Sequence, residues 1–336
     1  MITASPAARL LPPAADWREL WRDAITDATE LLQAAGLGDR ADLLPPDDAG
    51  FALRVPRGFV ARMRQGDPAD PLLLQVLPQV AEHDLVEGFT TDAVGDMAAK
   101  AGQGLLHKYN GRALLVASGS CAINCRYCFR RHFPYGEEIA AAGQWRKALD
   151  HVRQDPTITE LILSGGDPLS LTTAKLEELT RGLKDIPHVT RLRIHTRLPV
   201  VLPERVDGAL MHWLTQLPLQ KVVVLHANHA NEFDTSVDEA CARLRETGST
   251  LLNQSVLLRG INDNADTLTA LSERLFAAGV LPYYLHQLDR VQGAAHFEVD
   301  DAHALALVEA IRHRLPGYLV PKLVREVGGE ASKRPL

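Results

Sequence analysis

The 336-residue chain contains no apolar run that approaches the ~18 residues of a membrane helix. It does not begin with the basic residues and apolar core that are typical of a secretory signal. Its formal net charge is -6 with both signs interspersed, so there is no basic stripe for a nucleic-acid backbone. These absences predict a cytoplasmic protein that binds neither nucleic acid nor membrane.

Cysteine is also scarce, and three of the four cysteines lie together in "CAINCRYC", Cys121 to Cys128. In the reducing cytosol, clustered cysteines are more often metal ligands or catalytic thiols than disulfides. A structural zinc site usually takes four ligands, and no second cysteine pair lies nearby. A redox pair of Cys125 and Cys128 is conceivable, but it leaves Cys121 without a role.

Three thiolates in one tight loop can instead hold three irons of a 4Fe-4S cluster and leave the fourth iron open to a small molecule. The spacing Cys121-x3-Cys125-x2-Cys128 is that arrangement, and it resembles the signature of radical S-adenosylmethionine (AdoMet) enzymes. The resemblance implies that AdoMet is the small molecule. Cys241 lies in the helical pattern "VDEACARLRETG" and is predicted to be a buried core thiol.

The fold is indicated by strand-like runs that alternate with amphipathic helical runs after residue 105. This alternation predicts an α/β fold, an incomplete (β/α)6 barrel in which a parallel sheet is wrapped by helices. The six runs are "RALLVAS", "ITELILS", "VTRLRIHT", "QKVVVLHA", "STLLNQSVLL" and "GVLPYYLH". We expect the core barrel to span residues 106–300, with a helix and a short tail in residues 301–336.

Residues 1–105 are predicted to form a mainly helical N-terminal region. Asp16 is a suitable cap for a helix in which apolar residues from Trp17 to Leu32 recur at helical spacing, and Gly36 is a suitable end.

Polar residues lie at or just after the ends of the predicted strands, except that Gln254 and Ser255 lie within the fifth strand. The carboxyl ends of parallel strands meet on one face of a barrel, so we expect these residues to line a common cavity. In strand order they are the cysteine loop, "GGDP" at Gly165 to Pro168, His195 with Arg197, "HANH" at His226 to His229, Gln254 with Ser255, and Asp289.

Longer stretches of the chain resemble the lysine 2,3-aminomutase family. They are "LLHKYNGRALLVASGSCAINCRYCFRRHFPY", "LILSGGDPLSL", "NQSVLLRGIND", "LPYYLHQLD" and the terminal "GGEASK". Within that family the resemblance is greatest to the branch that serves β-lysylation of elongation factor P (EF-P). It implies a radical-AdoMet barrel with three cofactors, namely a 4Fe-4S cluster, AdoMet and pyridoxal 5'-phosphate (PLP).

The resemblance also implies roles for single residues. Lys333 corresponds to the catalytic lysine that forms a Schiff base with PLP, and Arg112 to the arginine that contacts the PLP phosphate. Arg130 corresponds to the arginine that binds the substrate carboxylate. An arginine fork suits both anions.

Further positions match cofactor and substrate ligands of the family. Asp167, with its glycine turn, corresponds to the residue that receives the AdoMet amino group, while His229 and Gln254 help to enclose the cofactors. Asp289 and Glu326 correspond to the acid pair that holds the ε-ammonium of lysine. Enzymes of the family that act on free lysine have an aspartate where Glu326 stands, so the resemblance implies a looser lysine pocket here.

The implied activity is conversion of L-α-lysine to (R)-β-lysine through a 5'-deoxyadenosyl radical and a PLP-dependent 1,2-amino migration. The implied partners are EF-P, its lysyl ligase and a low-potential electron donor. Three alternatives stay open at this point. They are an aminomutase of catabolism or secondary metabolism that acts on free lysine or another amino acid, a radical-AdoMet RNA methyltransferase, and a non-enzymatic metal-binding protein.

Overall fold

The computed structural model describes residues 16–46, 50–138 and 145–336. Over these ranges the strands form one ten-stranded sheet, in which each strand pairs with the next strand along the chain. The strands are β1 Lys100–Gly102, β2 Leu105–Tyr109, β3 Arg112–Ser118, β4 Glu160–Gly165, β5 Arg191–Thr196, β6 Gln220–His226, β7 Thr250–Val256, β8 Leu281–His286, β9 Lys322–Arg325 and β10 Arg334–Pro335.

The α-helices flank this sheet, and none in the described ranges is long and apolar enough to cross a membrane. They are α1 Trp17–Arg22, α2 Ala28–Ala34, α3 Arg57–Val60, α4 Tyr135–Glu138, α5 Trp145–Gln154, α6 Thr173–Arg181, α7 Leu198–Val201, α8 Gly208–Gln216, α9 Thr235–Glu246, α10 Ala265–Ala277 and α11 Asp301–Arg312.

The parallel part of the sheet runs from β3 to β9. The six predicted strands are β3 to β8, and a helix follows each of them, so the predicted α/β barrel of six βα units is confirmed. The sequence did not predict β9, which extends the parallel sheet beyond β8. Strands β1, β2 and β10 pair antiparallel at the two edges. The expected domain boundaries near residues 105 and 300 stay predictions.

Alternation within the strands separates a packed outer face from a polar inner face. In β5, Leu192 and Ile194 are fully buried beneath the helices, whereas Arg191, Arg193 and His195 alternate with them and are partly exposed. Successive side chains of a strand point to opposite faces, so the two arginines and the histidine face the barrel interior. That interior is therefore polar enough to hold charged ligands.

The predicted N-terminal helix is two helices, α1 and α2. Asp16 caps α1 by accepting a hydrogen bond from the backbone N–H of Arg18, and Gly36, with a φ of +74°, follows α2, as predicted. The helix is interrupted at Ile25, whose backbone exchanges two hydrogen bonds of 2.9 Å with Val55. The prediction of one continuous helix was wrong because this long-range bridge replaces helical hydrogen bonds.

The C-terminal segment folds back along the sheet. β10 pairs antiparallel with β9, and the backbone N–H of Leu336 donates to the carbonyl of Leu323 at 3.2 Å. Gly329 has a φ of +82°, which favours glycine, whereas Gly328 does not show a positive φ. The turn brings Lys333, the residue before β10, to the barrel.

Candidate active site

The cysteine loop follows β3. Cys121, Cys125 and Cys128 are free, half-buried thiols, while Cys241 is fully buried in α9 as predicted. Burial raises the pKa of Cys128 to about 11, with a smaller contribution from neighbouring Cys125, and burial likewise raises the pKa of Cys121 well above its usual value. Metal ligation requires thiolates, so binding a metal here would release protons.

The donor set of this loop fits an iron–sulfur cluster. No three His, Cys, Asp or Glu side chains in the described ranges are arranged around a single metal ion. In a cluster each thiolate binds a different iron, so three thiols in one short loop are suitable ligands. Arg197 Nη1 lies 2.7 Å from Cys125 Sγ, where its N–H would stabilise a thiolate.

Two arginines of the cysteine-loop region form buried ion pairs with Glu82. Arg126, which is fully buried, donates to the Glu82 carboxylate through Nε at 2.7 Å, and Arg131 donates to it at 2.8 Å. Burial opposes ionisation of Glu82, but the two guanidinium groups hold its pKa below the usual value. Glu82 therefore joins the loop to the N-terminal region through two arginines.

The glycine turn after β4 packs directly against the cysteine loop. The backbone N–H groups of Gly166 and Asp167 donate to the carbonyls of Ser118 and Ser120, at 2.7 and 2.8 Å. A Cβ on Gly166 would lie 2.7 Å from the carbonyl oxygen of Ser120, and Gly165 has a φ of +118°. Only glycines allow this close approach.

The Asp167 carboxylate is occupied by protein donors. It accepts hydrogen bonds from the Thr196 hydroxyl and the backbone N–H of Arg197, both at 2.7 Å, and from the backbone N–H groups of Leu169 and Leu198. Burial raises its pKa, and these hydrogen bonds oppose that shift. The side chain thus ties the glycine turn to the end of β5, and a ligand reaching this turn meets backbone groups.

His229 lies in the loop after β6, and Gln254 lies in the neighbouring strand β7. His229 follows β6, and its Nδ1 accepts a hydrogen bond of 3.1 Å from the backbone N–H of Asn231. Burial lowers the pKa of His229, which favours the neutral ring. Gln254 lies opposite His226 in the register of β6 and β7. Both residues are thus near the end of the barrel that carries the cysteine loop.

A chain of alternating charges links two of the predicted site residues. Arg130 Nε lies 2.7 Å from Asp96, and Lys108 Nζ lies 2.7 Å from the other oxygen of Asp96. Lys108 Nζ also lies 3.5 Å from Glu326, which contacts Lys333 Nζ. Three cations and two carboxylates therefore run from Arg130 to Lys333.

Asp289 lies beside this charged chain without joining it. Its Oδ1 is buried and has no hydrogen-bond partner among the described residues. Burial raises the pKa of Asp289 to about 7; nearby Lys333 opposes the shift and Glu326 adds to it. A buried carboxyl oxygen without a partner is a suitable acceptor for a cationic ligand.

Arg112 is the first residue of β3 and shares the neighbour Tyr109 with Glu326. Its guanidinium lies 4.6 Å from the ring of Tyr109, and the Tyr109 hydroxyl donates to Glu326 at 2.7 Å. Arg112 has no ion pair or hydrogen bond among the described side chains. The ring of Tyr284, in β8, lies 5.9 Å from Lys333 Nζ. Within the described part of the chain, Arg112 is thus a cation without an acidic partner, close to the aromatic rings that surround Lys333.

Known proteins resemble this chain over nearly its whole length. The L-lysine 2,3-aminomutase of Escherichia coli (strain K12) is 50% identical over 97% of this chain and 95% of that protein. The chain belongs to the L-lysine 2,3-aminomutase family. The family member of Haemophilus influenzae is 45% identical over 95% of this chain and 94% of that protein. The member of Clostridium subterminale is 31% identical over 96% of this chain and 78% of that protein.

A family profile described as "4Fe-4S single cluster domain" matches residues 102–190 of this aminomutase-family chain, which include the cysteine loop. The predicted enzyme class is confirmed: the chain is a radical AdoMet isomerase with a 4Fe-4S cluster and AdoMet as cofactors. Among solved structures, a radical SAM methyltransferase from Sphaerobacter thermophilus is 19% identical, with a TM-score of 0.44 over 66% of this chain and 68% of that chain.

Several residues of this aminomutase-family site were not found from the sequence. Asp96, Lys108 and Tyr109 connect Arg130 with Glu326 and Lys333, although all three precede β3. The quoted stretch "LLHKYNGR" contains two of them and was the available signal. Glu82 gave no signal because its role depends on arginines 44 and 49 residues away.

Proposed function

We propose that this chain is an L-lysine 2,3-aminomutase that converts L-α-lysine to (R)-β-lysine and so supplies the β-lysylation of EF-P. The observation that carries the proposal is the position of Lys333, which contacts Glu326 near the Asp289 oxygen that has no partner among the described residues. Family membership is the second support, because its half-identical relative is named L-lysine 2,3-aminomutase.

The cysteine loop would hold the cluster through Cys121, Cys125 and Cys128. The backbone of the glycine turn, rather than the occupied carboxylate of Asp167, would receive the AdoMet amino group, with His229 and Gln254 nearby. When bound, the cluster and AdoMet supply a 5'-deoxyadenosyl radical, and PLP supplies the π-bonded nitrogen that makes the 2,3-amino migration possible. The turn contacts the cysteine loop, so both ligands would be held by one rigid unit.

Lys333 and Arg112 are the residues that would hold PLP. The Lys333 amine is oriented by Glu326, and the unpaired guanidinium of Arg112 suits the phosphate. With the Lys333 amine engaged by the cofactor, Glu326 would still be held by Lys108 Nζ at 3.5 Å and by the Tyr109 hydroxyl at 2.7 Å.

The acid pair Glu326 and Asp289 would then receive the ε-ammonium of lysine. Asp289 contributes the oxygen that has no protein partner in the described ranges. A substrate without a distal cation would leave both acids underpaired in a buried site, which disfavours its binding.

Arg130 would bind the substrate carboxylate at the other end of the charged chain. Its Nε is held by Asp96, and its Nη1 makes longer contacts of 3.2 Å to Ser164 Oγ and 3.4 Å to the carbonyl of Gly165. The rings of Phe129 and Phe133 lie 4.8 and 5.8 Å from the guanidinium. Those contacts fix the plane of the Arg130 guanidinium and leave its Nη2 to bind the substrate carboxylate.

An anaerobic assay tests this function. The reconstituted protein is supplied with AdoMet, PLP and dithionite, and β-amino acids are separated by chiral chromatography after incubation with lysine or other α-amino acids. We expect (R)-β-lysine from lysine. A clear preference for another amino acid would instead favour an aminomutase of a different pathway.

The link to EF-P needs a second arm of that assay. The product mixture is added to EF-P and its lysyl ligase, and the mass of EF-P is measured. The expected result is the mass of one β-lysyl group, at a rate above that with α-lysine alone. Equal modification with α-lysine would remove the EF-P role and leave the isomerase assignment intact.

A further inference from the structure

Arg197 is a buried arginine that reaches one cysteine of the loop. It directly follows β5, is 6% exposed, and donates through Nη1 to Cys125 Sγ and to the Tyr127 hydroxyl, both at 2.7 Å. Its Nη2 donates to Gln75 Oε1 at 2.7 Å and to Glu232 Oε2 at 2.8 Å. The guanidinium therefore bridges a thiol and a buried carboxylate.

The side chains around Arg197 are themselves fixed by hydrogen bonds. Asn228 donates through Nδ2 to the Tyr127 hydroxyl at 2.6 Å and to Gln75 at 3.0 Å, and its backbone N–H donates to Glu232 at 2.7 Å. All four of these neighbours are buried. These hydrogen bonds to both Nη1 and Nη2 hold the guanidinium in one orientation, although its buried Nε has no partner in the described ranges.

The other two cysteines lack such a donor. In the described ranges, no side-chain N–H group donates to Cys121 or Cys128, whereas Arg197 donates to Cys125. Cys125 is therefore distinguished from its neighbours by a cationic hydrogen-bond donor.

We propose that Arg197 is a positioning residue for the iron–sulfur cluster. Arg197 raises the reduction potential of the cluster by stabilising negative charge on Cys125 Sγ, and the carboxylate of Glu232 partly offsets this increase. This inference rests on the proposed assignment of the three cysteines as cluster ligands. Reduction adds one electron from an external low-potential donor, and no covalent bond forms or breaks in that step. Hydrogen bonds to ligand sulfurs and nearby positive charge favour the reduced, more negative state, whereas nearby negative charge disfavours it.

Two substitutions should shift the potential in opposite directions. Arg197→Gln removes the cation, so at a fixed solution potential the ratio of reduced to oxidised cluster should fall about tenfold, which corresponds to about 59 mV for one electron. Glu232→Gln removes the compensating negative charge and should raise that ratio. Arg197→Lys keeps the charge and should restore much of the wild-type value.

The measurement is a potentiometric titration of reconstituted protein, followed by electron paramagnetic resonance of the reduced cluster. Iron and sulfide analysis shows that each variant is loaded. Arg205→Gln is the matched control, because Arg205 is also fully buried but donates to the Leu169 carbonyl rather than to a cysteine. Its titration should coincide with that of wild type.

The inference is overturned if loaded Arg197→Gln titrates like wild type, or if the Arg197→Gln and Glu232→Gln shifts have the same sign. If Arg197→Gln does not load, Arg197→Lys and Glu232→Gln decide by the same criteria. Cys125→Ala separates this inference from the proposed site. If that variant retains a complete cluster, the ligand assignment is wrong, whereas its loss together with an unshifted Arg197→Gln contradicts only the role of Arg197.

Discussion

The Lys333 ammonium contacts the carboxylate of Glu326, seven residues earlier in the chain. The turn at Gly328 and Gly329 lies between these two residues, so their contact closes the terminal loop. The same carboxylate accepts from the Tyr109 hydroxyl at 2.7 Å. The C-terminal segment is thereby joined to β2 at the barrel interior.

The first prediction concerns Lys333 as the residue that anchors PLP. Lys333→Ala should abolish the pyridoxyl adduct trapped by borohydride and the formation of β-lysine, because the amine is removed. The cluster should stay intact and still cleave AdoMet slowly. Lys322→Ala, an exposed lysine of β9, is the matched control and should keep the adduct. Peptide mapping that placed the pyridoxyl group on Lys108 would refute the assignment.

The second prediction concerns the cluster ligands. Changing Cys121, Cys125 or Cys128 to Ala should remove the brown absorbance and most of the iron, because three thiolates are needed for three irons. Cys241→Ala should keep both, since that thiol is buried in α9 away from the loop. Iron analysis and visible absorbance after reconstitution provide the measurement, and equal loss in all four variants would refute it.

The third prediction concerns selection of lysine by Asp289. Asp289→Asn should lower kcat/KM for lysine by roughly a hundredfold, because leaving a buried cation underpaired costs on the order of 3 kcal/mol. Cleavage of AdoMet without lysine should change little. Unchanged lysine kinetics would place Asp289 outside the substrate pocket.

The fourth prediction follows from the pKa of about 7 for Asp289, which burial raises. An unfolded aspartate releases its proton near pH 3.9, so between about pH 4 and pH 7 the folded protein binds more protons than the unfolded chain. The stabilising contribution is complete below about pH 4 and is lost as pH rises through about 7. Urea unfolding of ligand-free protein should therefore show wild type losing stability relative to Asp289→Asn from pH 5 to pH 8. A pH-independent difference would contradict the raised pKa.

The fifth prediction concerns Glu82 beneath the cysteine loop. Glu82→Gln leaves Arg126 and Arg131 buried without their carboxylate, and should lower the free energy of unfolding by on the order of 3 kcal/mol. Glu309→Gln breaks an exposed pair with Arg312 and should cost less than about 1 kcal/mol. Urea denaturation compares the two variants. Similar losses would show that the buried group does not support the loop.

The parallel strands were predictable because they are local. Each strand is a short apolar run bounded by turn residues, and β3 to β8 lie within a few residues of the predicted runs. The interruption at Ile25 was not predictable, since it depends on a backbone partner 30 residues away at Val55. Strand β9 was missed because its four residues lie between short turns and are recognised only by pairing with β8.

Site residues that belong to a sequence motif were predictable, whereas contacts between residues far apart in the sequence were not. The cysteine spacing and Lys333 came from motifs, and their roles stay predictions. Asp96 could not be linked with Lys108 and Arg130, because the contact depends on how β2 and the cysteine loop pack. The occupied carboxylate of Asp167 was equally hidden, since its donors follow the neighbouring strand β5.

The antiparallel pairing of β10 with β9 has a consequence for turnover. After Lys333, the backbone is fixed by β10 and by the hydrogen bond from Leu336 to Leu323. Before Lys333, it is fixed by the loop that begins after β9. If Lys333 anchors PLP as proposed, its amine, once released from the cofactor, could move only within the reach of its own side chain. Its effective concentration at the cofactor would then be about millimolar or higher, as for other short tethers. Recapture of the cofactor by this amine would therefore not depend on diffusion of the chain end.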